Sequence, residues 1–170
     1  MKKILMLNGP NLNMLGIREP DVYGHMTLDE LDEYVRAYAA QRDVELTCFQ
    51  SNHEGELIDK IHVARKLFGG IIYNPGAHTH YSYALRDAVA SIDIPVVEVH
   101  LTDIEQREDF RRVSVIAPEC VAQIRGMGVD GYYNAVDLLI DNNEFDRLGE
   151  GFEKNFKPEQ LIRIGNISQL

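Results

Sequence analysis

Short apolar runs separated by amphipathic stretches constrain this chain more than any other feature of its sequence. Ile4-Leu5-Met6-Leu7 is apolar at every position, as a strand buried on both faces should be. Val44 to Phe49, Gly70-Ile71-Ile72-Tyr73 and Ile94-Pro95-Val96-Val97-Glu98-Val99 read as three more strands, and Val113 to Ile116 as a fifth. The segments between them carry helical signals. Thr27-Leu28-Asp29-Glu30 has the form of a capping box, and Leu31, Tyr34, Val35, Tyr38 and Ala39 follow at helical spacing. Ser51-Asn52-His53-Glu54 repeats the form ahead of Leu57, Ile61, Ala64 and Phe68. Residues 79–91 read as a third helix with Ala84, Leu85, Ala88 and Val89 inward, and Tyr132 to Asp141 as a last one.

Strands alternating with helices imply an α/β domain whose parallel sheet is covered on both faces. A flavodoxin-like, doubly wound, five-stranded sheet of order 2-1-3-4-5 is the natural arrangement for five such strands. The domain is expected to span residues 1–143. From there the apolar period weakens, and residues 144–170 read as a C-terminal tail of mixed charge.

Composition narrows the function. A net charge of −10 disfavours a broad nucleic-acid surface but permits a local cationic pocket. No apolar run approaches the roughly 18 residues that would cross a bilayer. Ile4 to Leu7 is too short for a signal-peptide core, so a cytoplasmic protein is expected. Cys48 and Cys120 have no CxxC spacing and read as structural thiols. Neither GxGxxG nor GxxxxGK[ST] occurs, which speaks against a nucleotide cofactor. His78 and His80, with His53 and His100 elsewhere, lack an obvious carboxylate third ligand, so no metal is expected.

In a doubly wound sheet, ligands bind beyond the carboxyl ends of the strands. At that edge this sequence places Asn8-Gly9-Pro10-Asn11, Ser51-Asn52-His53, Asn74-Pro75-Gly76-Ala77-His78-Thr79-His80 and His100-Leu101-Thr102. Glycines bracket the segment Gly16 to Gly24, which reads as a lid carrying Arg18 and Tyr23.

These blocks resemble the type II 3-dehydroquinate dehydratases. The likeness runs through Asn8-Gly9-Pro10-Asn11-Leu12-Asn13, Arg18-Glu19-Pro20, Tyr23-Gly24 and Gln50-Ser51-Asn52-His53-Glu54-Gly55. It continues in Asn74-Pro75-Gly76-Ala77, Thr79-His80, Ala84-Leu85-Arg86-Asp87-Ala88, Pro95 to Leu101, Arg107-Glu108 and Phe110-Arg111. The resemblance implies cofactor-free, reversible dehydration of 3-dehydroquinate to 3-dehydroshikimate, in aromatic biosynthesis or quinate breakdown. It also implies a homo-oligomer, a dodecamer built as a tetramer of trimers. Carried over residue by residue, Tyr23 is the base, His100 the general acid and Arg18 the group that stabilises tyrosinate and enolate. Asn74, His80, Asp87, Arg111 and the backbone of Leu101 and Thr102 hold the substrate, with Asn11, Glu98 and Arg107 in support. Thr102-Asp103 and Glu105-Gln106 depart from the family's common Ser-Asn and His-Ala, and Asp103 adds negative charge beside an anion site. His78 also departs.

The chemistry asks for such residues. Removing a proton beside a ketone and expelling hydroxide requires a base, an enolate stabiliser and an acid. A phenol of pKa about 10 needs about 4 kcal/mol of stabilisation to serve as a phenolate near pH 7. A guanidinium on the same lid is a credible source. The rival reading, a non-catalytic module that binds a small acid, would need Asn74, His80 and Arg111 but neither Tyr23 nor Arg18.

Overall fold

A computed structural model describes residues 2–17, 25–106, 108–141 and the pair 161–162. The lid residues Arg18 and Tyr23, together with Arg107, lie outside the described residues. So does all of the tail except that pair.

The strands are β1 (Lys2–Asn8), β2 (Val44–Gln50), β3 (Gly70–Asn74), β4 (Val96–His100), β5 (Ala122–Arg125) and β6 (Leu161–Ile162). The helices are α1 (Leu28–Ala40), α2 (Glu54–Leu67), α3 (Tyr83–Ala90) and α4 (Asp130–Ile140). The sheet order is β2-β1-β3-β4-β5-β6. The first five strands are parallel, in the expected 2-1-3-4-5 order, and the short β6 adds antiparallel to β5.

Strand alternation sorts the core into two layers. Ile4, Met6, Ile72, Val97 and Val99 pack on one face with Leu31, Val35, Tyr132 and Val136 from α1 and α4. Leu5, Leu7, Ile71, Tyr73 and Val96 pack on the other with Leu57, Ile61, Leu85 and Val89 from α2 and α3. Each such side chain contributes about 1.5–3 kcal/mol by leaving water. The Thr27 capping box forms, with Glu30 N–H on Thr27 Oγ1 (3.3 Å) and Thr27 N–H on Glu30 Oε2 (2.8 Å).

Four expectations need correction. The fifth strand is Ala122–Arg125, not Val113 to Ile116. Val113 is 60% exposed, Val115 N–H bonds the Thr79 carbonyl, and Ser114 turns its hydroxyl toward Glu98, so that stretch is an irregular crossing segment. The Ser51 box does not form either. Ser51 Oγ accepts from His53 N–H at 2.9 Å and bonds Glu56 Oε2 instead of capping at Glu54. Residues 79–91 are not one helix. A 3-10 turn, Gly76–His80, precedes α3, and Ser82 caps α3 by accepting from Leu85 N–H at 3.0 Å. Ala84 on α3 faces outward, while Leu85, Ala88 and Val89 are buried as expected.

Candidate active site

The carboxyl ends of β1, β3 and β4 open into a cleft of about 110 Å³. Its walls include Asn11, Asn74, His80, His100, Leu101, Thr102 and Arg111. The chain backbones close tightly beneath it. Gly9 N–H bonds the Asn74 carbonyl at 2.7 Å, and a Cβ on Gly9 would lie 2.5 Å from the Pro75 carbonyl oxygen, so only glycine allows β1 and β3 to end this close. Asn11 takes a left-handed conformation (φ 67°), and its N–H bonds Asn52 Oδ1 at 2.8 Å.

Glu98 and His100 share one face of β4, two residues apart. His100 Nε2 donates to Glu98 Oε1 at 2.5 Å. Glu98 is wholly buried, and its Oε1 also accepts from Thr79 Oγ1 (2.6 Å) and Gln123 Nε2 (3.2 Å). Ser114 Oγ stands 3.0 Å from both carboxylate oxygens. Burial alone would push the Glu98 pKa up, but these bonds, led by that from His100, hold it below the ordinary carboxylate value. An ionised Glu98 fixes the Nε2–H tautomer of His100. Among the described residues Nδ1 has no partner, and His100 lines the cleft.

Asn74 is fixed from below. Its Nδ2 donates to the Tyr132 hydroxyl (2.9 Å), Tyr132 donates to Asn8 Oδ1 (3.0 Å), and Asn74 Oδ1 accepts from Gly76 N–H (3.1 Å). The bonds settle the orientation of the amide. Burial pushes the Tyr132 phenol well up, so it stays neutral and able to donate. His80 donates from Nδ1 to the Val113 carbonyl at 2.8 Å. Its pKa is lowered, first by burial, with His100 and Arg111 adding to the fall against the opposing Val113 bond. A neutral His80 with its Nδ1 engaged can offer Nε2 to a ligand. Arg111 sits on the 3-10 turn Asp109–Arg111, Nε 3.3 Å from Glu108 Oε2, and lines the cleft.

The structure thus gathers Asn11, Asn74, His80, His100, Leu101, Thr102 and Arg111 around one cleft, with Glu98 directly behind. Asp87 does not join them. It is exposed on α3, outside the cleft of its own chain, while its neighbour Arg86 pairs with Glu119 at 2.8 Å. Asp103 does not stand as a bare charge beside the cleft, because Arg125 Nε lies 3.2 Å from its Oδ1. Four residues escaped the sequence reading: Ser114 and Gln123 around Glu98, Tyr132 under Asn74, and Arg125; Thr79, part of the strand-end cluster, carries no role in that reading. Gln123 and Arg125 offered a signal, as polar residues at alternate positions next to Ala122 and Ile124.

No group of three or more His, Cys, Asp or Glu side chains among the described residues is arranged to hold a metal. No described helix is long and apolar enough to cross a membrane.

The model of the family described as Dehydroquinase class II matches residues 2–140. A 3-dehydroquinate dehydratase of Anoxybacillus flavithermus is 58% identical over 141 residues, 83% of this chain and 95% of that protein. One from Bacillus cereus is 57% identical over 141 residues, 83% of this chain and 97% of that protein. Among solved structures, the type II dehydroquinase of Butyrivibrio crossotus superposes with a TM-score of 0.80 at 49% identity, covering 82% of this chain and 97% of that one. With nearly the whole described domain matched in sequence and in shape, the chain belongs to the class II dehydroquinase family.

Proposed function

We propose that this protein is a type II 3-dehydroquinate dehydratase, a hydro-lyase that converts 3-dehydroquinate to 3-dehydroshikimate through an enolate. One observation carries the reading beyond family membership. Glu98 is buried and ionised, it holds His100 by one ring nitrogen, and the ring lines a cleft that also presents Arg111, Asn74 and His80. A passive binding module has no use for a buried carboxylate that orients an imidazole.

In this reading Tyr23, as phenolate, removes the proton beside the ketone. Arg18 stabilises first the phenolate and then the enolate oxygen. His100, once protonated at Nδ1 as well as at Nε2, gives the Nδ1 proton to the departing hydroxyl group, which leaves as water, while Glu98 holds Nε2–H and so keeps the ring aimed. Arg111 and the backbone of Leu101 and Thr102 take the substrate carboxylate, and Asn74 and His80 hold its hydroxyl groups. Asn11 and Arg107 support the site. The chemistry needs only acid, base and charge, and so no metal or cofactor. Asp87 can hold substrate only if assembly carries it to a neighbour's cleft, which accords with the proposed dodecamer of four trimers. Residues 1–143 form the catalytic domain, 144–170 are a tail, and the protein works in the cytoplasm.

The test is direct. Purified protein with 3-dehydroquinate and a chelator should generate the near-ultraviolet absorbance of a conjugated enone. Folded protein that produces no such absorbance would overturn the assignment.

A further inference from the structure

The loop after β4 carries the backbone groups of Leu101 and Thr102, and two acidic side chains follow them within three residues. A substrate carboxylate should be repelled by such a loop. Arg125 answers that charge. It ends β5 directly opposite His100 in the sheet register, and its side chain is only 5% exposed. Its Nε lies 3.2 Å from Asp103 Oδ1 and its NH2 2.8 Å from Glu105 Oε1. Asp103 in turn caps the 3-10 turn Ile104–Gln106, accepting from Glu105 N–H (3.1 Å) and Gln106 Nε2 (3.3 Å). The backbone reinforces the junction. Gly126 N–H bonds the His100 carbonyl at 3.2 Å, and Gly128 N–H bonds the Leu101 carbonyl at 3.0 Å. Gly126 (φ 72°) also passes so close that a Cβ there would meet the Asp103 Cβ at 3.1 Å.

We propose that Arg125 is a positioning and specificity-determining residue, which draws Asp103 and Glu105 away from the cleft and offsets part of their charge so that the adjoining loop can bind the substrate's carboxylate. Arg125 does not itself line the cleft, so it acts through Asp103, Glu105 and the loop they end. A cation held at about 3 Å from two carboxylates offsets about half of their combined charge beside the neighbouring anion site. Taking that cation away leaves two carboxylates beside the incoming anion. The penalty falls on substrate capture and much less on the chemical step, since Glu98 and His100 belong to a separate network.

The inference rests on the proposed dehydratase activity, and steady-state kinetics of the full chain with 3-dehydroquinate test it. Arg125→Met should raise KM about tenfold while kcat stays within about threefold. The added KM should shrink as salt is raised, because it arises from like-charge repulsion. Neutralising both partners in that background, as Arg125→Met/Asp103→Asn/Glu105→Gln, should return KM to within about threefold of wild type. A folded Arg125→Met variant with unchanged KM overturns the proposal, as does a triple variant whose KM stays high, since a purely structural loss would not be repaired by removing charge. If Arg125→Met does not fold, the triple variant alone decides. Near-normal KM supports the proposal, and raised KM or failure to fold overturns it. A folded wild type that turns over no substrate refutes the activity itself, whereas an active wild type with an indifferent Arg125 refutes this inference alone.

Discussion

Glu98 shows how a single buried charge organises a site. A carboxylate with no exposed surface is tolerated because hydroxyl, amide and imidazole donors surround it, and one of those donors is the proposed general acid. Replacing it by glutamine keeps the shape but loses the charge that fixes the His100 tautomer. Glu98→Gln should lower kcat by about 10²-fold with little change in KM, read from the initial rate of enone formation. A near-normal kcat would remove Glu98 from the mechanism. His78 makes a different test. Its side chain is buried, its Nδ1 has no partner among the described residues, and its ring meets Tyr81 edge-on at 5.7 Å. Burial lowers its pKa below 6.5, against an opposing pull from Glu54. The unfolded chain therefore binds a proton that the folded chain refuses, and stability present above pH 6.5 is lost as pH falls from there toward the folded value. His80, lowered in the same way, adds to that loss. His78→Phe should make the free energy of urea unfolding fall less steeply than in wild type as pH drops below 6.5. Equal slopes would mean that His78 is not held neutral by the fold.

At the scale of elements, the strand ends do the positioning, and they depend on close approach. A Cβ at Gly9 would stand 2.5 Å from the Pro75 carbonyl oxygen in the β3 loop. Gly9→Ala must push the Asn74-Pro75 turn outward. The expected result is a loss of about 1–3 kcal/mol in urea unfolding together with a raised KM, because Asn74 moves with its turn. Unchanged stability and KM would mean that the turn yields freely. The same elements show what was legible beforehand. β1, β3 and β4 could be read from composition alone, because strands covered on both faces are nearly all apolar. α1 was legible because Thr27 and Glu30 are local partners. β5 was missed because half of its residues are polar. Gln123 and Arg125 are buried there only because Glu98, Asp103 and Glu105 meet them, and those partners lie about 20 or more residues away in sequence. Val113 to Ile116 looked like a strand for the converse reason, since its apolar residues serve a crossing segment whose one polar member, Ser114, turns inward. The Ser51 capping pattern failed because its Oγ accepts from His53 N–H in place of Glu54 N–H, while its hydroxyl donates to Glu56. The cleft residues were legible through motif likeness, but the support beneath them was not, since Tyr132 reaches Asn74 across 58 positions.

Over the whole molecule, the proposed acid and the proposed base belong to different parts of the chain. His100 belongs to the rigid sheet, held through Glu98, while the proposed base and its guanidinium partner belong to the segment between Gly16 and Gly24. That division predicts separable half-reactions. In the proposed mechanism, forming the enolate needs Tyr23 and Arg18, whereas expelling the hydroxyl group needs His100. Proton exchange beside the ketone, followed by magnetic resonance in deuterated water, distinguishes the two steps. The account predicts that His100→Asn still exchanges that proton for deuterium while enone formation all but ceases, and that Tyr23→Phe does neither. Exchange at a near wild-type rate in Tyr23→Phe would contradict the account, because some other group would then be the base.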